Sequence, residues 1–94
     1  MIKVKNVNGT SRFKSPANYN NWLEYWEEQS GRTASRCSAV DCHAHGRSNL
    51  VGAHVQKVDS FDHNWYIVPL CKSCNNRIGY FFVDELLVPV PSNL

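Results

Sequence analysis

Hydrophobic and polar positions fall into a few short blocks along the chain. Ile2 to Val7 alternates weakly, as a strand does, and Asn8-Gly9 is a turn dipeptide suited to closing a hairpin. Ser15-Pro16 then reads as a helix start, with Ser15 as cap and proline at the first helical position. The spacing of Tyr19, Trp22, Leu23 and Trp26 predicts a helix from about Pro16 to Ser30 with one aromatic face. Glu24, Glu27 and Glu28 lie mostly off that face, and Gly31 is suited to end the helix. The aromatic stripe suits a stacking platform for bases. More simply, it is the core-facing side of the helix, because large rings bury area efficiently in a small domain.

After Arg32 the pattern changes. Arg36 to Asn49 is polar, turn-rich and carries two cysteines. Leu50 to Val58 reads as a strand, with Val51, Ala53 and Val55 alternating against Gly52, His54 and Gln56. Asp59 to Asn64 is a polar loop, and Trp65 to Leu70 is a second strand rich in aromatic and β-branched residues. Cys71 to about Tyr80 reads as a turn entering a short helix. Phe81 to Val90 is apolar and is expected as a last strand or an extended tail, with Pro89 and Pro91 ending regular structure.

At 94 residues the chain is expected to form one domain, 1–94, near the lower end of what folds alone. Within it, 1–31 is expected as a strand, turn and helix packed on a cysteine-bearing module at 32–94. The composition, 43% hydrophobic and 12% aromatic, is that of a folded chain rather than a disordered one. The net charge of +2 permits a nucleic-acid partner without arguing for one. Neither a signal-peptide pattern nor an apolar run of membrane-spanning length is visible, so the expectation is a cytoplasmic protein with no membrane partner.

That expectation changes the meaning of the cysteines. Cys37 and Cys42 form a Cys-x4-Cys pair, and after 28 intervening residues Cys71 and Cys74 form a Cys-x2-Cys pair. In a reducing compartment such a set points to metal before disulfides. Four thiolates suit tetrahedral Zn²⁺ and leave no open position, so the implied site is structural. Two disulfides, or four free core cysteines, are the competing readings. His43 and His45, beside Cys42, are alternative ligands.

Two ligand pairs, one on a hairpin and one at a helix start, resemble a treble-clef zinc finger. Gly52-Ala53-His54-Val55, followed by Ile67 to Asn76 (IVPLCKSCNN), further resembles the HNH endonuclease, or ββα-metal, family over about Arg36 to Tyr80. The resemblance implies an α+β fold, a β-hairpin plus short helix (ββα), with the aromatic helix packed on it. It casts His54 as general base and Asn75 as ligand of a catalytic Mg²⁺ or Mn²⁺, with Asn76 a weaker candidate. It places Lys72 and Arg77 near phosphates.

The chain departs from the family pattern at two places. Ala53 stands where the family commonly has a metal-binding Asp. Tyr66 stands where an asparagine usually orients the histidine, and Asn64 is displaced from that position by two residues. Asp59 and Asp62 are candidate substitutes, while His63 reads as an exposed loop residue. Independently of the resemblance, His54 reads as a polar strand residue and Asn75 as a helix cap.

The basic residues Arg36, Arg47, Lys57, Lys72 and Arg77 cluster in the zinc half, which mildly favours a phosphate-bearing partner. The favoured function is therefore a zinc-binding module with DNA or RNA as partner, a protein partner being the other possibility. The alternative is an HNH-type metal-dependent nuclease.

Overall fold

The computed structural model describes residues 1–7 and 13–91. Five strands and two helices occur in the order β1 (Ile2–Asn6), α1 (Trp22–Ser30), β2 (Leu50–Lys57), β3 (Tyr66–Cys71), α2 (Lys72–Asn75), β4 (Tyr80–Val83) and β5 (Val88–Pro89). The strands form one antiparallel sheet in the order β4-β1-β2-β3-β5. The α+β class expected from sequence holds. No helix among the described residues is long and apolar enough to cross a membrane.

Strand β1 is not closed into a hairpin with a strand that follows it. Val4 pairs with Lys57 of β2 on one edge and with Phe81 of β4 on the other. Both edges of β1 are therefore taken by strands distant in the chain, and the N-terminal strand belongs to the same sheet as the cysteine half. Asn8-Gly9 lies outside the described residues.

The segment 38–40 stitches the sheet to itself. The Ser38 amide donates to the Pro69 carbonyl of β3, while the Val40 amide donates to Phe82 and the Asp84 amide to Ser38 along β4. Pro69 has no N–H to give, but its carbonyl faces this segment. The curled sheet encloses Val4, Val55, Val68, Leu70 and Val83, all inaccessible to solvent.

Helix α1 starts later than the sequence predicts. Residues 16–19 form a turn, with the Tyr19 amide bonded to the Pro16 carbonyl and the Ser15 hydroxyl donating to the Tyr19 carbonyl. The cap is Asn21, in extended conformation, whose side chain accepts from the Glu24 amide at 2.8 Å. Asparagines compete with a helical backbone for hydrogen bonds, so Asn18, Asn20 and Asn21 favour a turn and then a cap over helix interior. Gly31 ends the helix with φ +71°, as expected.

Trp22, Leu23, Tyr25 and Trp26 are buried against the sheet. The aromatic face is core, with Tyr25 in it and Tyr19 only half-buried in the preceding turn. Trp26 Nε1 donates to the Leu86 carbonyl at 2.7 Å and the Tyr25 hydroxyl to the Pro89 carbonyl at 2.8 Å, so both polar tips are satisfied.

The helix crosses β2 at Gly52. A Cβ there would lie 2.4 Å from the Trp22 carbonyl carbon and 2.5 Å from the Leu23 nitrogen, and neither backbone atom can yield cheaply. We expect Gly52→Ala to cost about 1–3 kcal/mol through overpacking. Thermal unfolding then shifts by roughly 4–8 °C for each kcal/mol. An unchanged melting temperature contradicts the close approach.

Candidate metal centre and the His54 cavity

The four cysteines meet where the stitching segment, the end of β3 and α2 converge. The first pair sits on a tight loop. The Cys37 amide donates to the Ala44 carbonyl, the Cys42 amide to the Ala39 carbonyl, and Arg36 bridges to His45 across the base. The second pair straddles the strand-to-helix turn. Cys71 caps α2, its sulfur accepting from the Cys74 amide at 3.5 Å, and the Cys71 amide donates to Cys37 Sγ at 3.3 Å. Asn6, at the end of β1, donates to the carbonyls of Cys74 (2.9 Å) and Arg77 (3.1 Å) and so holds this turn in place.

The sulfur atoms all lie within 4.8 Å of one another, and none forms a disulfide. Thiolates about 2.3 Å from a tetrahedral zinc have sulfur–sulfur separations of about 3.8 Å. Cys42 Sγ and Cys71 Sγ are 3.8 Å apart. The donor set therefore fits a metal ion, and a zinc-like structural site is the arrangement that it suits. His43 and His45 are exposed and do not belong to the cluster; His45 Nδ1 lies 3.4 Å from the His43 carbonyl instead.

Electrostatics divides the four thiols. Burial pushes Cys37 up, against backbone donors at Cys71 and Ala39, and burial also pushes Cys74 up strongly. At Cys71 burial likewise raises the pKa, but the Cys74 amide and the neighbouring thiols outweigh it, and the net shift is downward. Several buried thiolates side by side are costly without a cation, which a divalent metal supplies.

His54 is not on a solvated face. It is 5% exposed, and its ring lies edge-to-face with Trp22 (4.9 Å between centroids) and Trp65 (5.9 Å). Its Nε2 is buried without a hydrogen-bond partner, and burial lowers its pKa. His54 and Asn75 line one cavity of about 180 Å³ together with Phe13, Trp22, Val51, Gly52 and Ala53. None of those residues carries a carboxylate. The neighbouring cavity of about 210 Å³ is also bounded by His54, between Trp22, Trp65 and Phe13.

Asp59 and Asp62 are engaged elsewhere. Asp59 pairs with Lys3 at 3.0 Å, and Asp62 accepts from the Tyr66 hydroxyl and lies 3.6 Å from Lys57. Asn64 borders the 210 Å³ cavity alongside the exposed His63. Asn76 is occupied by the Lys72 carbonyl, to which its side chain donates at 3.0 Å.

The predicted basic cluster is largely neutralised within the chain. Arg36 pairs with Asp84 (3.0 Å), Arg47 with Glu27 (2.7 Å), Lys57 with Asp62 and Arg77 with Asp41 (2.7 Å). Among the described residues only Lys72 of the five has no carboxylate partner. Glu27, off the aromatic face as expected, grips Arg47 through both oxygens and also accepts from the Ala34 amide. Sequence reasoning missed Asn6 and Glu27 because each acts on a partner far along the chain.

No family model, curated protein or solved structure matches this chain.

Two outcomes follow from this geometry. The purified chain should hold one zinc, and Cys71→Ser or strong chelation should release it and unfold the domain. A metal-free chain that melts at the same temperature contradicts a structural site. The second outcome concerns His54. Its folded pKa lies below the ordinary value of about 6.5, so the unfolded chain binds the proton more readily. The stability it contributes is complete above about pH 6.5 and is lost as pH falls toward the depressed folded value. An NMR titration should find the imidazole midpoint below 6.5; a midpoint at or above it contradicts this environment.

Proposed function

We propose that this chain is a zinc-stapled treble-clef module, similar in arrangement to the HNH family, that binds nucleic acid and has not kept a hydrolytic centre. The β2–β3 hairpin and the turn into α2 deliver Cys71 and Cys74, and the loop before the hairpin delivers Cys37 and Cys42. Zinc would supply a closed structural staple rather than chemistry.

The observation that carries the loss of hydrolysis is the surroundings of His54. A Mg²⁺-type ion prefers oxygen ligands, usually including carboxylates. The cavity shared by His54 and Asn75 has none, and Ala53 takes the place of the family's Asp. The His54 ring is held edge-to-face between Trp22 and Trp65 and is only 5% exposed. Nucleic acid is favoured as partner by Lys72, exposed beside the cysteine turn and without a carboxylate partner among the described residues, and the net charge of +2 permits it.

A second reading keeps one specific support: His54 and Asn75, implied as base and metal ligand by the family resemblance, border the same cavity. In that reading Mg²⁺ or Mn²⁺ held by Asn75 would stabilise phosphoryl charge while His54 takes a proton from water.

One set of incubations separates the two. Zinc-loaded protein is mixed with plasmid and with single-stranded DNA, with Mg²⁺, Mn²⁺ or EDTA, beside His54→Ala. The binding module predicts no ion-dependent cleavage and a retarded complex that weakens with salt. Three phosphate contacts would lower the affinity roughly 40-fold between about 50 and about 200 mM salt. Ion-dependent cleavage that disappears in His54→Ala establishes the nuclease instead. Binding that ignores salt, or no binding at all, removes nucleic acid as the partner.

A further inference from the structure

The outer face of the β1–β4 pair is unusual for a surface otherwise quenched by ion pairs. β4 buries Phe81 and Val83 and turns Tyr80 and Phe82 outward, 61% and 40% exposed. In the paired strand Lys5 lies directly opposite Tyr80, and Lys3 opposite Phe82. These four residues share the outer face because side chains alternate along each strand. The Lys3 ammonium sits 4.0 Å from the Tyr80 ring centroid, and the two exposed rings are 6.3 Å apart. Val40, hydrogen-bonded beside Phe82, extends the apolar surface. Neither strand carries an acidic residue. Asp59 reaches Lys3 from the β2–β3 loop, while Lys5 is exposed with no ion-pair partner among the described residues.

We propose that this face, Tyr80 and Phe82 flanked by Lys3 and Lys5, is a stacking platform for single-stranded nucleic acid. The inference rests on the nucleic-acid reading above and assigns it to residues away from the cysteine turn. Exposed rings on a sheet offer π-faces that unstacked bases can cover, and duplex bases cannot reach them. Lys5, one strand away and without an ion-pair partner among the described residues, is placed for the phosphates that link such bases. A protein partner is disfavoured, because lysine is depleted at protein–protein interfaces where aromatic residues are enriched.

The test measures fluorescence anisotropy of a labelled oligothymidylate of about 12 nucleotides, within the usual single-strand site sizes, and of a duplex of equal length. Wild-type protein should bind the single strand more tightly than the duplex. Tyr80→Ala should weaken single-strand binding roughly 5- to 150-fold, with Tyr80→Phe retaining most of it. Lys5→Gln should lower the salt slope by about 0.7. Zinc content and melting temperature of each variant establish that it is folded, which the exposure of Tyr80 favours.

Tighter duplex binding, or wild-type affinity in both Tyr80→Ala and Phe82→Ala, overturns the platform while leaving the nucleic-acid reading intact. A loss confined to Lys72→Gln does the same and moves the contact to α2. If wild-type protein binds neither strand nor duplex, both proposals fall.

Discussion

The convergence of four thiols is the constraint around which the rest of this domain is arranged. A chain of 94 residues has a limited core, and conformational entropy on the order of 1–2 kcal/mol per residue opposes its folding. The cysteine cluster joins the loop at Cys37 and Cys42 to the end of β3 and the single turn of α2. Hydrogen bonds reinforce the same junction. The Cys71 amide reaches Cys37 Sγ, Ser38 is bonded to Pro69 of β3 and to Asp84 just past β4, and Asn6 ties β1 to the second cysteine turn. A metal at this point would act through those links on β1, β3 and the end of β4.

A second constraint works on the other side of β2. Gly52 lets α1 come within touching distance of the strand, and two residues on, His54 is shut between Trp22 and Trp65. The helix that completes the core therefore covers the histidine that the family resemblance marks as catalytic. Burial favours the neutral ring. No residue lining the cavity that it shares with Asn75 carries a carboxylate.

Local signals were readable, and long-range ones were not. The cysteine spacing, the strands at Leu50–Lys57 and Tyr66–Cys71 and the left-handed stop at Gly31 follow from neighbouring residues, and they match the sequence reading to within a residue or so. The helix start was misplaced because Ser15-Pro16 and Asn21 are both good caps, and only tertiary packing chooses between them. The middle position of β1 depends on partners at Lys57 and Val83, which no short pattern encodes. The ion pairs of Arg36, Arg47 and Arg77 are likewise invisible in composition, where the same arginines look like a free basic surface. The burial of His54 is not legible either, because strand alternation assigns faces and does not say which face a helix will cover.

The most direct test of the central claim is X-ray absorption at the zinc edge of the purified protein. Four sulfur neighbours at about 2.3 Å, with no nitrogen or oxygen in the shell, is the result expected of Cys37, Cys42, Cys71 and Cys74. A shell containing nitrogen at about 2.0–2.1 Å would bring in a histidine such as His43 or His45 and contradict the all-cysteine site. Absence of stoichiometric metal would contradict the staple itself.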